Sequence, residues 1–297
     1  MKAIVTTGLT KDYGNGRGLF ELDLEVREGE VFGFLGPNGA GKSTTIRLLM
    51  DMIRPTRGSA RLLGLDAHED SVALKKSVGY LPGELPDFGR MRCAEIIGYV
   101  MGMRRIDATD RVGQLCDRFA IDLSPRFQEL SRGNKQKMGL LLSFAHDPHL
   151  LILDEPTGGL DPLMQQQFYE LVRETRQRGG TVFLSSHVLS VVGEICERAA
   201  IVREGRLAQV IELSDLHEIR LRHVEIVFAQ PPDEHRLRQV PGIEDVVVDR
   251  TFTRCVLRGS FEPLADALAG MGVLDLTSHE PTLEETFLDV YLSEHDG

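Results

Sequence analysis

The stretch EVFGFLGPNGAGKSTTIRLL, residues 30–49, decides how the chain is read. An apolar run, VFGFL, ends in Gly36, and KSTTIRLL continues with the apolar spacing of a helix. Between them, residues 36–44 fit the pattern G-x-x-x-x-G-K-[ST]. Glycines at 36, 39 and 41 let the backbone wrap closely enough to aim its N–H groups at phosphate oxygens. The following helix adds roughly half a positive charge at its N-terminus. Gly36, Pro37, Asn38, Gly39, Ala40, Gly41, Lys42, Ser43 and Thr44 are therefore expected to cradle the phosphates of a nucleotide. Lys42 would reach the β- and γ-phosphates, and Ser43 would offer its hydroxyl to magnesium.

A second apolar run, LLIL at 150–153, ends in Asp154 and Glu155. Parallel strands present residues at their C-terminal ends, where α/β proteins bind ligands, so both carboxylates are expected beside the phosphates. Asp154 would hold magnesium, directly or through water, and Glu155 would polarise an attacking water as general base. The structural alternative, a solvated acid pair at a strand end, loses weight beside the glycine-rich loop.

Working outward, LFELDLEVREGE (19–30) alternates apolar and polar residues as a half-buried strand does. Buried strands are expected at 149–156 and 180–187, separated by an amphipathic helix over 161–180. Strands alternating with helices imply a largely parallel sheet covered on both faces, with an antiparallel portion beside it. Helical patterns recur at MRCAEIIGYVMGM (91–103) and ATDRVGQLCDRFA (108–120). The pattern changes after about Leu216. Strand, helix, two strands, helix and strand follow between 222 and 280, the order of a small ferredoxin-like module, and TLEETFLDVYL (282–292) reads as a closing amphipathic helix. The expected domains are 1–218 and 219–297.

With 297 residues, 42% of them hydrophobic and 27% charged, the chain can bury a sizeable core. A formal charge of −11 argues against broad electrostatic capture of nucleic acid or of an anionic membrane. The four cysteines, at 93, 116, 196 and 255, form no close pair and read as reduced thiols. The first residues lack the features of a signal peptide, and apolar runs such as MGLLLSFA fall short of the roughly 18 residues of a membrane span. His146 and His149, in HDPH, read as an ordinary turn ending at Pro148 and not as a metal site.

GPNGAGKST, then LSRGNKQK (130–137), LLILDEP (150–156), GGLDP (158–162) and SSH (185–187) stand in close succession. This ordered set resembles the ATP-binding cassette (ABC) family over roughly residues 1–215. The resemblance implies an α/β P-loop NTPase fold of parallel core sheet, antiparallel β subdomain and helical subdomain, followed here by the small α+β module. It also implies two ATPase subunits closing head to tail on two ATPs. Ser131 and Gly133 then correspond to donors toward a γ-phosphate held by the partner subunit, and Asp161 to the aspartate that links the two sites. His187 matches the histidine that contacts the γ-phosphate and joins Glu155 and Lys42 as a catalytic residue, and Tyr13, in KDYG, looks like the aromatic that stacks on adenine. Local structural roles compete: Asp161 followed by Pro162 suits a helix N-cap with proline at the first helical position, and Ser131 also suits an N-cap.

The chain departs from the family pattern at three places. Arg132 and Asn134 replace a glycine and a glutamine of the signature, and Gly83 stands where the family places a glutamine near magnesium and the attacking water. Glu84 is expected to substitute as a magnesium or water ligand, the competing reading being a solvated loop acid. The resemblance implies an ATP- and magnesium-dependent ATPase subunit, dimerising with itself or another cassette and driving a separate integral-membrane permease, with efflux of a drug, antibiotic or lipid as its work. Its place would be cytoplasmic, peripheral to the inner face of the cell membrane, with no nucleic-acid partner. The alternatives are a soluble ABC ATPase outside transport and a binding-only regulatory cassette, the latter disfavoured by Lys42, Glu155 and His187.

Overall fold

The computed structural model describes residues 1–214 and 221–279. Alternation over 19–27 produces β2 (Gly18–Arg27), with Leu22, Leu24 and Val26 turned inward, and β2 pairs antiparallel with the less regular, bulged β1 (Lys2–Asp12). With β4 (Arg57–Leu62) and β5 (Leu65–Asp66) they make a sheet in the order β2-β1-β4-β5, antiparallel throughout.

Three strands with no exposed face follow a different logic. β3 (Val31–Leu35), β7 (Leu150–Asp154) and β8 (Thr181–Ser186) are buried at every residue, as parallel strands covered on both faces must be. They sit within a sheet of order β10-β9-β3-β8-β7-β6, whose other members are β6 (Val78–Leu81), β9 (Arg198–Arg203) and β10 (Arg206–Glu212). The run from β9 through β6 is parallel, so β3, β7 and β8 end side by side at one edge. Between the sheets lies a shared core in which Leu22 and Val26 pack with Phe34, Ile46, Ile152 and Phe183.

Helices cover the parallel sheet and form a helical layer: α1 (Lys42–Leu49), α2 (Ser71–Ser77), α3 (Cys93–Arg104), α4 (Thr109–Phe119), α5 (Arg132–Phe144), α6 (Pro162–Gln177) and α7 (Leu189–Ile195). Glycine permits the tightest approaches. A β-carbon on Gly79 of β6 would lie 2.3 Å from the Ser143 carbonyl oxygen of α5, and one on Gly33 of β3 would lie 2.6 Å from Val192 of α7.

The chain divides into two units at residues 211 and 212. The second unit contains β11 (Leu221–Phe228), α8 (Glu234–Arg238), β12 (Ile243–Asp249), β13 (Phe252–Arg258), α9 (Glu262–Leu268) and β14 (Val273–His279). This β-α-β-β-α-β order forms an antiparallel sheet arranged β12-β13-β11-β14. Val224, Ile226 and Phe228 point to one face and pack with Leu237, Cys255, Leu257 and Leu264 in a core of its own. The boundary expected at 218/219 falls in residues 215–220, and the helix expected over 282–292 follows residue 279; both lie outside the described residues. Among the described residues no helix is long and apolar enough to cross a membrane.

Candidate active site

The glycine-rich loop joins β3 to α1 at the edge where β7 and β8 also end. Gly36 is the tight point, since a β-carbon there would stand 2.3 Å from the carbonyl oxygen of Val202. Gly41 caps α1 in a left-handed conformation, φ 103°, and no side chain caps the helix. The first turn also lacks an acidic residue, which leaves the helix N-terminus available to an anion. Pro37, Asn38, Gly39 and Ser43 are exposed, Thr44 half-buried and Ala40 buried.

Lys42 is 6% exposed, and its ammonium lies 2.7 Å from the Gly36 carbonyl and 3.3 Å from that of Pro37. A third contact, 3.3 Å to Glu155 Oε1, joins the loop to β7. Glu155 follows the last residue of β7 in a left-handed conformation, φ 50°, which an L-residue resists. Its other carboxylate oxygen, Oε2, lies 2.9 Å from His187 Nδ1 at the end of β8. Glu155 thus bridges the loop lysine and the histidine, and Gln136 of α5 donates to its carbonyl oxygen at 3.2 Å.

Asp154 is buried, and its Oδ1 accepts a hydrogen bond of 2.5 Å from the hydroxyl of Ser185. Oδ2 faces the segment at Gly83, where a β-carbon would stand 3.1 Å away. On the adjoining strand, burial first and the charge of Asp154 second push the Tyr80 phenol up to about 12, so it stays a neutral neighbour.

A cavity of about 680 Å³ runs from Lys42, Ser43 and Thr44 to Tyr13, with Glu155 in its wall. Tyr13 is half-exposed, with the Lys11 ammonium 5.6 Å from its ring centre. Arg17 and Glu204 line the same cavity and were not singled out in the sequence. The Glu204 signal is a Glu-Gly turn between β9 and β10, tied to the loop by the Gly205 N–H donating to Ala40 O at 3.1 Å. Ser185 was also missed; a polar residue within the buried run TVFLSS is its only sequence signal.

Ser131, Gly133 and Asp161 do not line this cavity. Ser131 caps α5, accepting from the Asn134 N–H at 3.3 Å, and Asp161 caps α6, accepting from Met164 N–H at 2.9 Å. Gly133 approaches the turn before α6 so closely that a β-carbon would meet the Gly159 oxygen at 2.8 Å. Glu84 is exposed and lines a separate cavity of about 530 Å³, which it shares with Gly83, Glu155, Gln136 and Arg132.

These residues fit a magnesium nucleotide. The loop supplies an uncapped helix N-terminus and a buried ammonium, matching polyphosphate. Among the described residues no three His, Cys, Asp or Glu side chains gather as a metal cage. Magnesium needs no such cage, because it takes one or two carboxylates together with phosphate oxygens and water. His146 Nε2 stands 3.3 Å from the Val78 oxygen, and burial and Arg104 push its imidazole down to about 4. Cys93, Cys196 and Cys255 are buried, Cys116 is partly buried, and all four are free thiols.

A parallel sheet whose glycine-rich loop, acid pair and histidine meet at one edge defines a P-loop nucleotide-binding protein. Residues 19–158 match the family model described as ABC transporter. The chain is 31% identical to the bacitracin transport ATP-binding protein BcrA of Bacillus licheniformis, covering 96% of each chain. It is 33% identical to the probable multidrug ABC transporter ATP-binding protein YbhF of Escherichia coli over 67% of this chain and 35% of that one. Among solved structures, an ATP-binding subunit of an ABC transporter superposes with a TM-score of 0.68 at 26% identity, over 72% of this chain and 92% of that one. A bacterial Atm1-family ABC exporter with ATP bound gives 0.63 at 25% identity, over 72% and 39%. The chain belongs to the ABC transporter family, and it is an ATPase.

Proposed function

We propose that this ATPase powers an exporter by closing head to tail with a second cassette around two magnesium ATPs and passing the motion to a separate membrane permease. The observation that carries this reading is a division of the site. Lys42, Asp154, Glu155 and His187 meet at one sheet edge, whereas Ser131 and Gly133 start α5 away from the nucleotide cavity of their own chain. A second copy would bring its Ser131 hydroxyl and Gly133 N–H to the γ-phosphate, and Asp161 would link the two sites. Tyr13 would stack on adenine, the backbone of 36–44 and Lys42 would hold the phosphates, and Ser43 and Asp154 would hold magnesium, with Glu84 as a further ligand to the metal or its water. Bound magnesium supplies charge neutralisation at the phosphates. Glu155 would take a proton from water, oriented by His187.

BcrA and YbhF, named for bacitracin and multidrug transport, support efflux of a drug or antibiotic as the work done. Its place would be the cytoplasmic face of the membrane. The second unit would be an accessory domain, 219–297. Glu155→Gln, run on a sizing column, tests the pairing. An ATP- and magnesium-dependent dimer with hydrolysis abolished is expected; a variant that stays monomeric in ATP, or hydrolyses it normally, refutes the reading.

A further inference from the structure

We propose that Ser185 is a positioning residue for both acids of the site, through one buried hydroxyl. Asp154 and Ser185 are direct partners in the parallel pairing of β7 and β8, and Ser185 is fully buried. A hydroxyl has one hydrogen to give and two lone pairs to receive, and both capacities are used here. The hydrogen goes to Asp154 Oδ1 at 2.5 Å, and the oxygen receives the Glu155 N–H at 3.1 Å.

The two bonds have different consequences. The first fixes the rotation of the Asp154 carboxylate: Oδ1 is engaged, and Oδ2 is left facing the side-chain-free segment at Gly83. That makes Oδ2 the oxygen presented to a cation. The second helps hold the backbone of Glu155, whose N–H is shared between this hydroxyl and the Ser185 carbonyl oxygen at 3.3 Å, in the left-handed conformation from which its carboxylate reaches Lys42 and His187. The next residue shows the contrast. Ser186 spends its hydroxyl on the turn that follows, accepting from the Val188 N–H at 2.9 Å, and leaves the acids alone. Ser185 therefore sets metal and base in register with each other without touching nucleotide.

The inference rests on reading Asp154 as the metal carboxylate. The test is Ser185→Ala beside Ser185→Thr, with manganese standing in for magnesium and its binding in the presence of ADP counted from the free-ion paramagnetic resonance signal. Ser185→Ala is expected to weaken manganese binding at least roughly tenfold and to lower kcat by a similar factor, as loss of a partner behind a metal ligand does, with KM for ATP little changed. Metal-free ADP binding stays at the wild-type level, and Ser185→Thr, which keeps the hydroxyl, restores both quantities. Wild-type manganese affinity and kcat in Ser185→Ala would overturn the proposal. So would an equal loss of metal-free ADP binding, which marks a general packing defect, or a threonine variant no better than alanine. Asp154→Asn separates the levels: if it binds manganese normally, the reading of Asp154 itself fails.

Discussion

If Lys42 holds phosphate as proposed, Glu155 competes with it, and replacing Glu155 by glutamine should tighten the binding of ADP. The carboxylate and the ammonium stand 3.3 Å apart, with the lysine 6% and the glutamate 27% exposed. At an effective dielectric of about 20, that separation corresponds to a Coulomb attraction of about 5 kcal/mol. Most of it is offset by desolvation and by the Gly36 and Pro37 carbonyls, which keep the ammonium satisfied when the carboxylate leaves. About 1.5 kcal/mol is a fair net value for one charge-assisted hydrogen bond. A bound diphosphate has to break this pair and also meets the repulsion of the carboxylate, so both effects act in one direction. Glu155→Gln should therefore lower the Kd of ADP roughly tenfold. ADP is the ligand of choice because it has no γ-phosphate through which the proposed dimer could form, and so reports on a single chain. Titration calorimetry with ADP, without magnesium and at two salt concentrations, measures it, with adenosine as a control whose affinity should not move. An unchanged or weakened ADP affinity would refute the competition.

Two further outcomes follow from the geometry. If Glu84 serves magnesium in place of a side chain at Gly83, Glu84→Ala should raise the magnesium concentration for half-maximal ATPase rate several-fold at saturating ATP; an unchanged titration curve excludes it. His146 sets a pH dependence of stability. Its folded pKa is lowered to about 4 from 6.5, so its contribution is present above pH 6.5 and is lost as pH falls toward 4, where the unfolded chain takes up the proton first. The shift is discounted to about 2 kcal/mol for partial solvent exposure. His146→Asn, compared with the parent by thermal unfolding at successive pH values, should lose that share of the slope between pH 6.5 and 4, and parallel profiles would count against it.

Strands buried on both faces read as near-continuous apolar runs, which makes VFGFL and the LLIL of β7 legible without coordinates. The loop is legible because close wrapping demands glycine at fixed spacing, and Gly36 meets a backbone oxygen with no room for a β-carbon. The antiparallel strands announce themselves by alternation, Leu22, Leu24 and Val26 inward. Ser185, Arg17 and Glu204 were not legible. Each reaches the site through register or through a turn brought in from a distant part of the chain, and nothing local in SSH or in the turn at 204–205 shows which atom will be met.

Sequence by itself determined the glycine-rich loop, the acid pair, the largely parallel character of the first unit's main sheet and the strand–helix order of the second unit. Those depend on burial period and backbone freedom, which are properties of neighbouring residues. Only the tertiary structure decided that Glu155 lies between Lys42 and His187, that Oδ1 of Asp154 meets Ser185 while Oδ2 faces Gly83, and that Ser131 and Asp161 cap helices outside the cavity lined by Lys42 and Tyr13. Those facts depend on which strand ends lie side by side, a long-range outcome of packing the parallel sheet.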